Sequence, residues 1–149
     1  MRIAIGNRQR AVAIESELLR HIGKRALSLC LPHPGPEKTL LPELERVDVW
    51  IVSDRRSAAL HERFFNLAGP TDVITFQHGE IVIASGVAVR QARAHRQPLW
   101  RELARYLVHG LLHLHGYTDA QPAQAAAMWR VQERLLRAAL RGLPKPAVG

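Results

Sequence analysis

The segment HGLLHLHGYTDA, residues 109–120, determines the central helix and the candidate site of this chain. His109 and His113 are four residues apart, so on a helix their imidazoles lie on one face and can converge on one ion. Gly116 tolerates the left-handed conformation that ends many helices, which lets the chain turn back and bring Asp119 to the same ion. Three protein ligands leave one position for water, as in catalytic zinc sites. The segment therefore predicts a metal-dependent hydrolase.

Two features of this segment keep other interpretations open. The zinc metalloprotease signature H-E-x-x-H has a glutamate base where this chain has Gly110. General-base catalysis is worth about two to four orders of magnitude, so a small zinc metalloprotease-like hydrolase is a less favoured alternative. Asp119 could instead belong to the N-terminal region of the next helix, where aspartate is common. His115 lies about 200° around the helix from His113, so it is predicted to point away from the site.

Length and composition indicate an ordinary globular domain. The chain has 149 residues, of which 47% are hydrophobic and 23% charged, and we expect a single domain over residues 1–149. No apolar run approaches the roughly 20 residues of a membrane span, so no membrane partner is predicted. The N-terminus lacks the pattern of a secretory signal, and the single cysteine, Cys30, cannot form an intramolecular disulfide. These features fit a cytoplasmic protein.

The charge balance favours a polyanionic partner. Lysine and arginine total 21 against 13 acidic residues, a net charge of +8, and only three of the basic residues are lysines. The arginine side chain offers a planar fork of donors suited to phosphate, so nucleic acid is the simplest partner. The alternative is a GC-rich genome that uses arginine in place of lysine. A metal site on a basic protein favours the nucleic-acid interpretation.

Hydrophobic periodicity predicts an α+β fold. Strands are expected at 2–5, 47–53, 71–76 and 80–85, with His78 and Gly79 forming a hairpin turn, and helices at about 11–27, 54–65, 86–96, 98–115 and 122–141. The prediction is a small mixed sheet of about four strands packed with about five helices, with the metal site on the central one. Asp54 is expected to cap its helix, and residues 142–149 are expected to be disordered.

Glu102 and Asp72 are carboxylates with two interpretations each. Glu102 lies on roughly the same side of its helix as the two histidines and could accept a hydrogen bond from a ligand imidazole in the second shell of the metal. The alternative is a local salt bridge or capping contact. Asp72, at the start of a strand, is interpreted as a structural turn residue rather than a catalytic one.

Three motifs resemble one protein family. HGLLHLHGYTDA resembles the signature H-G-x-L-H-L-x-G-Y-D-H of the YbeY family of rRNA maturation factors. PTDVITF (70–76) is similar to the family's P-T-D-V-L-S-F, and GEIVIAS (79–85) to its G-D-I-V-I-S strand. The WRELARYLVHGLLHLHGY segment and the spacing of Met128, Gln132 and Glu133 also match. The resemblance covers about residues 45–140, with the motifs in the family's order.

The resemblance implies a metal-dependent, single-strand-directed endoribonuclease of the bacterial cytoplasm. It would act in rRNA 3′-end maturation and ribosome quality control, with rRNA of the small ribosomal subunit as substrate and a ribosomal protein as a further partner. The family fold is an α+β layer with a four-stranded sheet and about five helices, and its usual metal is zinc, here one ion per chain. The family's three histidine ligands correspond to His109, His113 and position 119.

The chain departs from the family at two of these positions. Position 119 is aspartate, a legitimate zinc ligand whose charge should make bound water less acidic and favour harder divalent ions. The family's arginine five residues before the proline of P-T-D, important for ribonuclease activity, is replaced by Phe65. Arg63 is a candidate substitute, against the alternative that it is an ordinary surface arginine.

The expected chemistry is metal-assisted phosphodiester cleavage at His109 and His113. Arg63 or Arg90 would stabilise the charge that develops on the phosphate, and Thr71 is a further candidate for substrate contact. The attacking oxygen is either water or the neighbouring 2′-hydroxyl. Phe65 and Asp119 also support an alternative function, a ribosome-associated binding module with a structural metal and weak or lost catalysis.

Overall fold

A computed structural model describes residues 2–143, so the predicted disorder of the tail falls almost entirely outside the described residues. The strands are β1 (Arg2–Asn7), β2 (Arg46–Val52), β3 (Val73–Phe76) and β4 (Glu80–Ala84). The helices are α1 (Ser16–Cys30), α2 (Asp54–Phe65), α3 (Ser85–Ala94), α4 (Leu99–Leu114) and α5 (Pro122–Leu140), with one 3-10 turn at Leu41–Glu43. The predicted α+β class, with a mixed sheet of four strands and five helices, is confirmed for this part of the chain. Its helices include none long and apolar enough to cross a bilayer.

The sheet has the strand order β1-β2-β4-β3. β1, β2 and β4 are parallel neighbours, and β3 pairs antiparallel with β4. The predicted hairpin between β3 and β4 is therefore confirmed, with Gly79 in the left-handed region at φ +106°. β3 lies at an edge of the sheet, so one side of its backbone has no strand partner among residues 2–143.

α4 is the central helix of the fold, as predicted. It contacts α1, α3, α5 and the strands β3 and β4. Leu103, Leu107 and Leu111 form its buried stripe and join the main hydrophobic core on one face of the sheet. Successive side chains of a strand point to opposite faces, and a smaller cluster of Val52, Ile74 and Val82 lies on the other face.

Two helix starts differ from the sequence prediction. α1 begins at Ser16 rather than near residue 11, because the Gln9 side chain bonds both backbone polar groups of Val12 and holds that segment as a loop. Ser53, not Asp54, caps α2, since its side chain accepts from the Arg56 amide at 3.1 Å. Asp54 accepts instead from the Val87 amide of α3 at 3.1 Å.

Gly110 sets the close approach of α4 to the sheet. A Cβ at this position would meet three side-chain atoms of Ile81 at 2.7 to 2.8 Å, and Ile81 is fully buried. Alanine gains about 1 kcal/mol of helix propensity over glycine, whereas overpacking a core costs about 1–3 kcal/mol. Because Ile81 is fully buried, we expect Gly110→Ala to lower the free energy of unfolding by about 1–2 kcal/mol in urea titrations.

Ile81→Val provides the control for this prediction, because it removes Cδ1, the Ile81 atom closest to the added methyl. The loss in the Gly110→Ala, Ile81→Val double variant should be smaller than the sum of the two single losses. Equal or greater stability of Gly110→Ala compared with the wild type would contradict the close packing.

Candidate metal centre

His109, His113 and Asp119 lie together at the C-terminal end of α4. The two Nε2 atoms are 2.9 Å apart, and Asp119 Oδ2 is 3.5 Å from His109 Nε2 and 3.6 Å from His113 Nε2. α4 supplies both imidazoles, and Gly116, at φ +94°, turns the chain back so that Asp119 faces them. The structure thus brings together the three residues predicted as ligands, in a group able to hold a metal ion.

Hydrogen bonds to the far side of each ring determine which nitrogen faces the centre. His109 Nδ1 lies 2.7 Å from Gln132 Oε1, and His113 Nδ1 lies 3.2 Å from the Tyr117 carbonyl oxygen. Because both partners only accept, each Nδ1 carries the proton and donates it. The Nε2 lone pairs therefore face each other and the Asp119 carboxylate. Such a contact is repulsive unless a cation lies between the atoms, so the donor set fits one divalent ion.

The electrostatics of His113 favour the neutral form that metal ligation needs. Burial lowers its pKa below the ordinary histidine value, and the neighbouring His109 lowers it further, with Asp119 opposing both effects. A metal-binding imidazole must be unprotonated. Two neutral nitrogens and one carboxylate oxygen suit zinc and tolerate harder divalent ions.

A buried polar network supports the His109 ring from α5. The Gln132 amide donates to Glu133 Oε2 at 3.1 Å, and Arg105 donates to Glu133 at 2.9 Å and to Glu102 at 2.8 Å. Burial raises the pKa of Glu133, but the hydrogen bonds from Arg105 and Gln132 outweigh it and leave the pKa below its ordinary value. This network fixes the amide so that its oxygen accepts from His109.

Glu102 belongs to this network and is not the hydrogen-bond partner of His109 or His113. It is buried and pairs with Arg105 one turn along α4, which corresponds to the salt-bridge alternative considered from the sequence. The acceptor for His109 is Gln132, to which sequence reasoning assigned no role. The family spacing of Met128, Gln132 and Glu133 already included Gln132. Only the packing of α5 on α4 shows that its side chain contacts the His109 ring.

Gln132→Leu tests this support, because it replaces the acceptor with an apolar side chain of similar size. Loss of such an outer hydrogen bond typically costs 10–100-fold in metal affinity, and we expect a loss in that range in a competition titration with a chelator. Gln132→Glu keeps an acceptor for His109 but loses the donor to Glu133, and it should retain more affinity than Gln132→Leu. If the two variants bind metal equally, the hydrogen bond does not support the site.

A cleft of about 530 Å³ opens beside the cluster along the free edge of β3. Its walls include His113, Thr71 and three further polar residues, Glu37, Lys38 and His61. His61 Nδ1 lies 3.0 Å from the Gly69 carbonyl oxygen, so this nitrogen donates and Nε2 remains available as an acceptor. Sequence reasoning missed Glu37, Lys38 and His61, since they meet only through tertiary folding and belong to no motif.

Of the three residues predicted to contact phosphate, Thr71 lies on the cleft wall and the two arginines do not. The Arg63 guanidinium lies over the Phe64 ring, 5.3 Å from its centroid, and Arg90 pairs with Asp54 at 2.8 Å. Phe65, at the position of the family's arginine, lines the cleft with 48% of its surface exposed. An aromatic side chain therefore occupies the place expected for a phosphate-binding cation.

Two other polar residues have structural contacts, as expected. Asp72 accepts from the Val73 amide at 2.7 Å, at the start of β3. His115 is buried and its Nε2 lies 2.9 Å from the Leu31 carbonyl oxygen, on the side of α4 away from the cluster.

The fold and the cluster define a small α+β protein with a histidine–aspartate group of metal-binding type on its central helix. The family model described as Endoribonuclease YbeY matches residues 4–139. The chain belongs to this family, and the resemblance inferred from its motifs is confirmed.

Curated relatives named Endoribonuclease YbeY give the same assignment. The Anaeromyxobacter sp. (strain Fw109-5) protein is 38% identical over 102 residues, 62% of this chain and 53% of that protein. The Frankia alni protein is 33% identical over 113 residues, 62% of each. The chain thus spans between about half and three fifths of these two proteins. The Rhodococcus opacus protein is 30% identical over an alignment 155 positions long, which covers 91% of this chain and 81% of that protein.

A solved structure supports the fold. The solution structure of TM1509 from Thermotoga maritima superimposes with a TM-score of 0.64 over 93% of this chain and 89% of that one, at 23% identity. At this level of identity the likeness concerns the fold alone.

Proposed function

We propose that the chain is a metal-dependent endoribonuclease that cleaves single-stranded RNA. The observation that carries the proposal is the pair of Nε2 atoms, 2.9 Å apart, that face Asp119 beside an open cleft. Membership of the Endoribonuclease YbeY family and the net charge of +8 support RNA as the substrate class. We further propose that the substrate is rRNA of the small ribosomal subunit, that the chain acts in the cytoplasm in 3′-end maturation and ribosome quality control, and that a ribosomal protein assists.

Each residue of the site has a defined task in this proposal. When bound, a divalent ion, zinc in the first instance, supplies Lewis-acid chemistry at a phosphate oxygen and at the attacking hydroxyl. His109 and His113 would hold this ion through Nε2, with Asp119 as the third ligand, while the Nδ1–H groups hold the rings in place. Lys38 on the cleft wall attracts the phosphate backbone, and Nε2 of His61 can accept or return a proton.

The free edge of β3 favours the protease alternative, but the close packing of Gly110 on Ile81 is against it. The cleft follows the free edge of β3, where an extended peptide could add as a further strand. However, the protease base would replace Gly110, and a Cβ at this position would collide with buried Ile81. The helix therefore lies too close to the sheet for a glutamate there, and RNA cleavage is the better interpretation.

The experiment is to measure metal content and cleavage on the same purified samples, wild type beside Asp119→Ala. The substrates are a single-stranded RNA, an RNA duplex and casein. We expect one metal ion per chain, cleavage of the single strand, and loss of both in the variant. Binding of RNA should weaken steeply with salt, because phosphate contacts release counterions.

The other outcomes identify the alternatives. Bound metal without cleavage of any substrate would support the binding module, whereas cleavage of casein but not RNA would support the protease. Equal metal in both proteins would remove Asp119 from the site.

A further inference from the structure

A second cavity lies on the face of the sheet opposite the main core. Its volume is about 430 Å³, and its walls come from α2, the chain after β1, and β2, β3 and β4. We call it the outer-face cavity. It combines aromatic rings with basic groups, and the residues used below are Arg8, Trp50, Arg56, Phe64, Phe76 and His78.

Trp50 forms a fixed wall of the outer-face cavity. Its indole nitrogen donates to Glu80 Oε2 at 2.8 Å, and a Cβ on Gly6 would collide with the indole, so the ring lies against the backbone of β1. The Arg8 guanidinium lies 4.4 Å from the Trp50 ring centroid. Stacking on a ring leaves the N–H groups at the edge of the guanidinium free for an anion.

The basic side chains at this cavity can contact a ligand. Arg8 and Arg56 are both exposed, and neither forms an ion pair among residues 2–143. The one carboxylate in the lining, Glu80, is already engaged by Trp50 and by His78 at 2.6 Å. Two guanidinium groups against one carboxylate leave the lining with a net positive charge, so an anionic ligand is favoured.

An aromatic ridge joins the outer-face cavity to the metal cleft. Phe64, 54% exposed, meets Phe76 edge to face at 5.3 Å between centroids. Phe65 lies 6.3 Å from Phe76 on one side and 6.1 Å from His61 on the other. Phe65 and His61 line the cleft beside the metal cluster. A row of exposed and half-buried rings therefore continues around the edge of β3 from one cavity to the other.

We propose that the outer-face cavity is a nucleotide subsite for the same single-stranded RNA whose cleaved bond lies in the metal cleft. A base packs against Phe64 and Phe76, and the adjacent phosphates contact Arg8 and Arg56. This inference rests on the proposed function in taking RNA as the ligand. Rings beside guanidinium groups match a base together with its phosphate, which is how single strands are bound without reading their sequence. An acidic peptide would use only the guanidinium groups and would leave the aromatic rings without a partner.

The test measures RNA binding apart from cleavage. Affinity for a labelled oligouridylate of about twelve nucleotides, a length within single-strand site sizes, is measured by fluorescence anisotropy in the presence of a chelator. We expect Arg8→Ala, Arg56→Ala to weaken binding about tenfold and to reduce the slope of log K against log salt by about 1.4, for two phosphate contacts. Phe64→Ala should weaken binding at least about fivefold through lost stacking.

Matched variants control for charge and for exposed apolar surface. Arg10→Ala, Arg55→Ala removes the same charge from exposed residues next to those of the subsite, and neither lines the outer-face cavity. Leu67→Ala removes a side chain that is 55% exposed, close to Phe64 in the chain. Both controls should bind RNA like the wild type, and urea titrations should show that every variant is folded under the conditions of the binding assay.

Binding and cleavage together separate the two proposals. If the wild type cleaves RNA but the subsite variants bind like their controls, the subsite is wrong and the function stands; a protein segment would then be the better ligand for the cavity. If the variants lose affinity for an RNA that the wild type binds without cleaving, the subsite stands and the nuclease function fails. Failure of the wild type to bind RNA overturns both.

Discussion

His113→Ala is expected to remove the bound metal and to lower the rate of RNA cleavage by about a thousandfold or more. A metal ion contributes several kcal/mol of transition-state stabilisation, and each 1.36 kcal/mol is a factor of ten in rate. The cluster has only two nitrogen ligands, 2.9 Å apart, so one imidazole and one carboxylate would remain. Metal per chain is measured by elemental analysis, and cleavage by single-turnover kinetics on single-stranded RNA.

The loss is expected to come from the site and not from unfolding. The His113 side chain is 27% exposed, and alanine is a better helix former than histidine. Without metal, the variant should therefore unfold at a urea concentration no lower than the wild type. His21→Ala, an exposed histidine on α1, should keep both metal and activity. Full cleavage by His113→Ala after metal is removed would refute the metal-dependent mechanism.

The central helix and the shared face of its two histidines were predictable because both depend on local spacing. The interval between His109 and His113 is one helical turn, and Gly116 is a residue type that tolerates positive φ, which it adopts at +94°. Each inference needs only the sequence within about one turn. The strands and their hairpin followed in the same way from alternation of residue types and a short turn.

The parts that were not predictable depend on contacts between distant segments. Ser53 and Asp54 are both good caps, and only the position of α3 explains why Asp54 bonds the Val87 amide while Ser53 caps α2. Arg90 was a reasonable phosphate ligand by type, but Asp54 already engages it. The cleft cation Lys38 comes from a loop remote in sequence from the histidines. No local periodicity indicates such partners.

Phe65→Arg is expected to raise the rate of RNA cleavage by about a hundredfold, since one well-placed donor to a developing oxyanion is worth about 10²–10³ in rate. Phe65 is the last residue of α2 and lines the metal cleft, and a cation near a helix C-terminus is favourable. The substitution restores the residue type implied by the family resemblance at a place where the structure has an exposed ring. The gain is measured as kcat and KM on the same single-stranded RNA.

The division of the gain between kcat and KM shows what the arginine does. An interaction that forms only in the transition state raises kcat, whereas one that holds substrate and transition state equally lowers KM and leaves kcat unchanged. Leu67→Arg adds the same charge to an exposed site that does not line the cleft, and should at most lower KM. Equal effects of the two variants would mean that added charge alone improves RNA binding. No effect of Phe65→Arg would mean that another group, such as Lys38 on the cleft wall, already neutralises the phosphate. The phenylalanine would then not be the reason for any difference in activity from other family members.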